Sequence, residues 1–389
     1  MNSMLFENKE RKYTGPKTYT ESNYQFLERS ARKEAENIRA FLNKWISRVS
    51  SEEANELISR ITSGNEINFN SAIFEIVLFA LISNLGGKLE IHPDPENGSG
   101  KRPDFLVKLP NGEECYLEAV IATDDSAAEV SSERMKNVVF QEIEKLNTQN
   151  FFIGIEEKGN PKTQPSAKIL RPQLTRWLNS LDPDIVAKEV EENGYKEIPT
   201  MLWEHDGWQI KFKAIPIKPE RRGKGQRIIG HRADEPKWIS DWQSLRKAIL
   251  TKAGRYGDFT KPFIIAVNTA SPFLDRIDEM QALFGEEEFF VDAANPGNEP
   301  QMNRAANGAW FGSKGPQYRR VSGVWVFNNI NLWNIMAQQN TLYLNPWSNF
   351  PVPKELKQFN HAYVIGSEMQ WVDGVHFSQL LGLPETWKD

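Results

Sequence analysis

The chain of 389 residues is acidic overall, with a formal net charge of −5, and 39% of its residues are hydrophobic and 25% charged. This length predicts one large domain with appendages or two to three domains. The acidic balance excludes a protein that is basic over its whole surface, so any surface for nucleic acid has to be local. The single cysteine, Cys115, excludes an intramolecular disulfide and a zinc site built from several cysteines.

The same features predict the cellular location. One cysteine is typical of a reducing cytoplasm. The N-terminal residues become charged before an apolar segment develops, so we expect no signal peptide. The longest apolar run, AIFEIVLFALI, is shorter than a bilayer span. We therefore expect a cytoplasmic protein with no membrane partner.

The first part of the chain has the pattern of helices followed by strands. Residues 1–64 predict an N-terminal helical extension, because apolar residues up to Ile46 recur at the spacing of one or two amphipathic helices. The next helix, capped by Asn70 or Ser71, is apolar almost all round and is expected to be buried. Three strands, a helix and a strand then follow in the segments KLEIHP, RPDFLVKL, ECYLEAVIA, SSERMKNVVFQEIEKLN and FFIGIEEKG.

The remainder predicts a second block and an aromatic-rich end. A helix, a hairpin that turns at His205, Asp206 and Gly207, a basic loop, another helix and the apolar strand KPFIIAVN complete a predicted core of residues 65–270. Residues 271–389 predict a C-terminal extension that packs on this core, with VSGVWVFNN as its one clear strand after a long loop. Its tryptophans could stack on bases, although such residues more often pack in a core.

Two carboxylates lie in apolar strand segments, Asp104 in RPDFLVKL and Glu118 in ECYLEAVIA. Whether they meet depends on the turn between the strands. A two-residue Asn-Gly turn would place Asp104 opposite Ala119 and send the carboxylates to opposite faces. A three-residue loop, with Pro110 at the second position of a type I turn and Gly112 left-handed, would place Asp104 opposite Glu118. The turn chemistry favours this second register.

Facing carboxylates repel each other unless a cation or a shared proton lies between them, and a divalent cation is the simplest solution. Glu75 is a third carboxylate, in an otherwise apolar helix, and needs compensation from the helix N-terminus or from a metal. The alternative is that each acid pairs with a nearby Lys or Arg or faces solvent. Glu75, Asp104 and Glu118 are therefore the candidate catalytic and metal-binding residues, with Mg²⁺ or Mn²⁺ as the candidate cofactor.

The order of these elements resembles the PD-(D/E)XK nuclease superfamily. The match covers about residues 65–160 and consists of the helix with Glu75, a strand, the RPDF strand, a turn, the YLEAV strand and a helix. The resemblance implies a restriction-endonuclease-like mixed β-sheet core flanked by helices, in an α/β protein with extensions at both ends. It also implies that Asp104 and Glu118 bind Mg²⁺, that Glu75 is an accessory ligand, and that the reaction is hydrolysis of phosphodiester bonds.

One position departs from this pattern. Val120, in EAV, stands where the superfamily usually has a lysine that orients the attacking water and stabilises charge in the transition state. Conceivable substitutes are Arg102, Lys136, Gln141 and Lys252. Without such a residue the chain would be a catalytically inactive nucleic-acid-binding or scaffold protein on the same fold, which is the alternative to a metal-dependent nuclease.

A basic segment, Lys211 to Arg232, contains eight Lys or Arg residues against one acidic residue. It is a candidate surface for phosphates, and the alternative is an exposed hairpin loop without a role. The candidate nucleic-acid contacts are Arg221, Arg222, Lys224 and Arg227. DNA is the favoured partner, and a homodimer is left open.

Overall fold

A computed structural model of the chain describes residues 4–123, 125–224, 227–234, 240–291, 294–295, 297, 299, 301–384 and 386–387. The helices in this part of the chain are α1 (Asn23–Arg29), α2 (Lys33–Ile46), α3 (Ser51–Thr62), α4 (Glu66–Asn84), α5 (Ala127–Ile143), α6 (Ala167–Asn179), α7 (Pro183–Asn193), α8 (Asp241–Ala253), α9 (Arg276–Phe284) and α10 (Phe377–Leu381). The strands are β1 (Lys88–Ile91), β2 (Phe105–Lys108), β3 (Glu114–Ala122), β4 (Phe151–Lys158), β5 (Thr200–His205), β6 (Trp208–Pro216), β7 (Ile229–Ala233), β8 (Phe263–Thr269), β9 (Glu287–Phe290), β10 (Gln301–Arg304), β11 (Phe311–Gly312), β12 (Gly315–Pro316), β13 (Val321–Asn328), β14 (Asn340–Leu344), β15 (His361–Ile365) and β16 (Glu368–Val372).

The chain divides into two compact units. Unit 1 comprises residues 1–15, 22–124 and 240–389, and unit 2 comprises residues 16–21 and 125–239. Along the chain, most of unit 2 therefore comes between β3 and α8 of unit 1. Both predicted extensions contribute to unit 1, so this division differs from the predicted order of extension, core and extension.

Unit 1 is built on an eight-stranded mixed sheet flanked by helices, in the order β1-β2-β3-β8-β13-β14-β15-β16. Strands β1 to β3 pair antiparallel, whereas β3, β8 and β13 run parallel to one another. Every residue of β8 is buried, as expected of a central parallel strand that is covered on both faces. The predicted α/β class, with a mixed sheet between helices, is confirmed.

Helix α4 lies in the core of unit 1. Its cap is Asn65, whose side chain accepts hydrogen bonds from the backbone N–H groups of Ile67 and Asn68, so the helix begins earlier than the predicted cap at Asn70 or Ser71. With 19 residues it is longer than predicted, and by length and composition alone it could span a membrane. Most of its side chains are instead buried in unit 1, and the core helices of globular proteins share this composition.

Unit 2 contains a four-stranded sheet in the order β5-β6-β4-β7. The strand predicted from FFIGIEEKG forms as β4, and it lies in this sheet rather than in the sheet of unit 1. The predicted hairpin also forms, as β5 and β6, with positive φ at Asp206 and Gly207 in its turn. The strand that lies beside β3 is β8, which follows α8 and comes after the whole of unit 2 in the chain.

The two ends of the chain contain more regular structure than the sequence predicts. Three helices, α1 to α3, replace the one or two that were expected. The strand β13 forms as predicted, and β14, β15 and β16 extend the sheet beyond it. Trp310 and Trp325 are fully buried, as expected for core packing rather than for stacking on bases. The predicted long loop, residues 292–317, contains β10, which pairs with β9 just before the loop, and the short strands β11 and β12; its residues 292, 293, 296, 298 and 300 lie outside the described part.

Candidate active site

The turn between β2 and β3 sets the position of the two facing carboxylates. Leu109 donates its backbone N–H to Glu113 at 2.9 Å, Gly112 donates to Leu109 at 2.9 Å, and the φ of Gly112 is 85°. This is the predicted three-residue loop, and the ladder that follows pairs Phe105 with Leu117. Asp104, one residue before β2, therefore lies opposite Glu118. The predicted register is confirmed, because a two-residue turn would have shifted it by one position.

The carboxylates of Asp104 and Glu118 each accept a hydrogen bond from a backbone N–H group on the opposite side of the hairpin. The N–H of Asp104 donates to Glu118 Oε2 at 3.1 Å, and the N–H of Ala119 donates to Asp104 Oδ2 at 2.7 Å. Burial, together with the negative charges of Glu118 and Glu75, raises the pKa of Asp104 to about 7. The ionised form of Asp104 is therefore disfavoured, and a positive charge beside it would stabilise that form.

Glu118 is completely buried and is held by two further donors. Lys252 Nζ lies 2.5 Å from Glu118 Oε1, and the Tyr256 hydroxyl donates to Glu118 Oε2 at 2.6 Å. Burial and the adjacent Glu118 carboxylate raise the pKa of the Tyr256 hydroxyl, so it stays a hydrogen-bond donor at neutral pH. The ammonium of Lys252 also lowers the pKa of Asp104, so its charge acts on both carboxylates.

Of the four conceivable substitutes for the missing lysine, Lys252 is the one with a direct bond to a carboxylate of the pair. Lys136 pairs with Glu157 at 3.2 Å inside unit 2, and Gln141 accepts the backbone N–H of Tyr19 there.

The fourth candidate, Arg102, lies just before β2 and lines a cavity on the side of α4. Position 120 itself is partly buried and packs against the apolar cluster that contains Leu245, Ile249 and Tyr256. Lys252 comes from α8, whose apolar side contacts β3 and β8. The helix next to β3 in space, α8, thus places a lysine beside Glu118.

The structure pairs Glu75 with a different residue. Arg60 on α3 forms a bidentate ion pair with it, at 2.6 Å to Oε1 and 2.8 Å to Oε2. The side chains of Glu75 and Arg60 are 14% and 24% exposed. The compensating group that the sequence required is therefore an arginine, although the charge of Glu75 still raises the pKa of Asp104.

The candidate nucleic-acid residues lie in unit 2. Arg222 donates to Asp184 Oδ1 at 2.7 Å, and the Arg227 guanidinium lies over the ring of Tyr19, 5.5 Å from its centroid. Arg221 and Lys224 are exposed. The flanking basic residues are also paired, Lys211 and Lys213 with Glu156, and Arg232 with Glu133 and Glu157. Contact of this segment with nucleic acid stays a prediction.

Asp104 and Glu118 are the two sequence-predicted metal ligands that the structure places opposite each other. Mg²⁺ prefers carboxylate oxygens and is commonly held by only one or two carboxylates, and a cation beside Asp104 would oppose the rise of its pKa. Within the residues that the structure describes, no group of three or more His, Cys, Asp or Glu side chains is arranged to hold a metal. Glu75, Asp104 and Glu118 are therefore not gathered into one such group there, and Glu75 binds Arg60 instead.

Comparison of the chain with protein-family models, with curated proteins and with solved structures finds no match. The functional conclusion therefore rests on the site itself.

Proposed function

We propose that the protein is a Mg²⁺- or Mn²⁺-dependent nuclease that hydrolyses phosphodiester bonds of nucleic acid, with DNA as the favoured substrate, on a restriction-endonuclease-like core. The observation that supports this most directly is the contact between Lys252 and Glu118 next to Asp104. It supplies, from α8, the basic group that Val120 lacks. The proposal also includes the predicted cytoplasmic location.

Each side chain has a defined role in this proposal. Asp104 and Glu118 would hold the metal, which when bound polarises the scissile phosphate and lowers the pKa of its water. The Lys252 ammonium would orient the attacking water and stabilise the negative charge that develops on the phosphate oxygens. Tyr256 and the N–H of Asp104 fix the Glu118 carboxylate, so that one orientation is maintained.

Glu75 and the basic segment would act at a distance from the reaction. Glu75 adds negative charge that favours a bound cation, while its own oxygens stay on Arg60. The exposed Arg221 and Lys224, with Arg222 and Arg227, would contact phosphates of the substrate backbone without reading its sequence.

A second candidate is a nucleic-acid-binding protein without catalytic activity. One observation favours it: both oxygens of Glu118 already accept hydrogen bonds from Lys252, Tyr256 and the N–H of Asp104. A carboxylate that is saturated in this way can remain a purely structural group, because a buried polar group needs such partners whether or not it has a further role.

The deciding experiment is cleavage of labelled single- and double-stranded DNA and RNA with Mg²⁺, with Mn²⁺ and with EDTA. The wild type is compared with Asp104→Asn and Glu118→Gln, which keep the size of each side chain. We expect metal-dependent cleavage by the wild type and its loss in both variants. Equal cleavage by all three proteins would exclude the proposed site, and salt-sensitive binding without cleavage would favour the second candidate.

A further inference from the structure

A cavity of about 330 Å³ lies beside the proposed site, between the end of α2, α3, α4 and the start of β2. Its size is at the lower end of the range of about 300–1,000 Å³ that is typical of small-ligand pockets. The apolar wall is formed by Trp45, Leu57, Ile76, Phe79, Ile91 and Phe105. Such a wall suits a flat, weakly polar ring.

One polar atom of this wall has no partner. Trp45 is 1% exposed, and its Nε1 makes no hydrogen bond within the described part of the chain. Its ring meets that of Phe79 edge to face, with centroids 6.2 Å apart. Buried indole N–H groups usually have an acceptor, and the N–H group of Trp45 lacks one.

The polar lining of the cavity is divided by charge. Acidic side chains come from the helices, Glu52, Glu53 and Glu56 from α3 and Glu75 from α4. Glu53 accepts the N–H of Ser50 in the cap of α3, and Arg60 binds both Glu56 and Glu75. Glu52 is exposed and makes no hydrogen bond or ion pair to the residues that the structure describes, so its carboxylate is left as an acceptor for a ligand.

The arginine of the lining, Arg102, is exposed and comes from the segment that leads into β2. It precedes Asp104 by two positions, so the positively charged end of the cavity adjoins the proposed reaction centre. His92, which also lines the cavity, donates its backbone N–H to the carbonyl oxygen of Asp104 at 3.0 Å. A ligand in the cavity would therefore have its anionic part at Arg102, beside Asp104.

We propose that this cavity binds one unpaired nucleobase of the substrate, and that it prefers bases with an exocyclic amino group. This inference rests on the proposed nuclease function and adds a substrate class to it, single-stranded or locally unpaired nucleic acid. The aromatic and aliphatic wall holds the base, and the Glu52 carboxylate accepts its amino group. The phosphate attached to that nucleotide lies at Arg102. Adenine, cytosine and guanine carry an amino group, whereas thymine and uracil do not.

The test measures binding without metal, so that it does not depend on cleavage. Fluorescence anisotropy in EDTA gives the Kd of labelled oligo-dA, oligo-dC and oligo-dT at one fixed salt concentration. We expect oligo-dA and oligo-dC to bind roughly tenfold more tightly than oligo-dT, the effect of one hydrogen bond to a charged acceptor. Equal affinities, or no binding of any oligonucleotide, would overturn the inference.

Two variants locate the preference. Val49→Trp fills the cavity from a half-buried position, and Glu52→Gln removes the free acceptor charge at an exposed position that does not endanger folding. We expect the preference to disappear in the first and to fall about threefold in the second. Glu36→Gln, an exposed acid on α2 outside the cavity lining, is the control and should change nothing.

If Val49→Trp fails to fold by circular dichroism, Glu52→Gln decides alone, and an unchanged preference there overturns the inference. Cleavage by the wild type without any base preference would leave the nuclease proposal standing and remove this one. A base preference that depends on the cavity, in a protein that does not cleave, would support the base-binding cavity and remove the nuclease proposal.

Discussion

Lys252 on α8 forms an ion pair with the buried Glu118 on β3, although 134 positions separate the two residues in the chain. The Glu118 side chain is 1% exposed and that of Lys252 is 16% exposed. Both charges of such a buried ion pair lose hydration, and this cost can exceed the attraction between them. Folding stability alone therefore does not explain why the pair is present. In the proposed function, its role is to stabilise charge beside Asp104.

The first prediction concerns this lysine. Lys252→Met should lower the rate of metal-dependent cleavage by roughly 100-fold or more, because one charged donor to the transition state is removed. Val120 lies two residues after Glu118 on the same face of β3, so Val120→Lys in the Lys252→Met protein should restore part of the rate. Lys247→Met, at an exposed position of α8, is the control. A cleavage rate that is unchanged in Lys252→Met would show that this lysine has no part in the reaction.

The facing of Asp104 and Glu118 could be predicted because it depends on local chemistry. Pro110 and Gly112 specify one loop type, and a strand pair has only two choices of face, so the turn determines the register. The helix that supplies Lys252 could not be assigned in the same way. FFIGIEEKG and KPFIIAVN both read as strands, and a local pattern does not say which of them pairs with β3.

A signal for the second strand was nevertheless present. KPFIIAVN has the unbroken apolar run of a strand buried on both faces, whereas FFIGIEEKG ends in charged residues. Given that β8 is the central strand, the helix just before it is the natural crossover and Lys252 lies in its last turn. The pairing of Glu75 with Arg60 depends on how α3 packs on α4, for which the sequence offers no comparable signal.

The second prediction is a pH dependence of stability. The pKa of Asp104 is about 7 in the folded protein and 3.8 is the ordinary value, so the folded state binds the proton more tightly than the unfolded state. The corresponding stability is fully present below about pH 4 and is lost as the pH rises through about 7. Asp104→Asn, which cannot ionise, should not show this loss, and at about pH 8 it should unfold at a higher temperature than the metal-free wild type.

The measurement is thermal unfolding in EDTA at about pH 5 and pH 8, with a difference between the two proteins on the order of 2 kcal/mol at the higher pH. Burial also raises the pKa of Glu279 to about 7, and comparison of two proteins that share Glu279 cancels its contribution. Mg²⁺ should stabilise the wild type at about pH 8 and not Asp104→Asn. Parallel pH profiles would show that Asp104 does not carry the effect.

The third prediction concerns Tyr256, which donates to Glu118 Oε2 and acts on the site through that carboxylate. Tyr256→Phe keeps the ring and removes the hydroxyl. Since hydrogen bonds to charged groups contribute about 1.5–3 kcal/mol, urea unfolding should show a loss of that size. If Tyr256 also positions Glu118 for the metal, the Mg²⁺ concentration at half-maximal cleavage should rise in the variant. Tyr363→Phe, in β15 of the same unit, is a matched control; a loss of stability with an unchanged Mg²⁺ dependence would leave Tyr256 a structural role alone.

The fourth prediction separates the structural role of Glu75 from a role in metal binding. Arg60→Met leaves the Glu75 carboxylate largely buried without its counter-charge. It should cost about 2 kcal/mol, less than the 3–5 kcal/mol of a fully buried pair because both side chains keep some exposure. The double variant Arg60→Met with Glu75→Gln should recover much of this loss, and a double-mutant cycle by urea unfolding gives the coupling energy.

Mg²⁺ titration of Glu75→Gln then tests whether Glu75 binds the metal. We expect an affinity within about threefold of the wild type, since Glu75 acts on Asp104 only through its charge. A loss of more than about tenfold would mean that Glu75 leaves Arg60 and coordinates the ion.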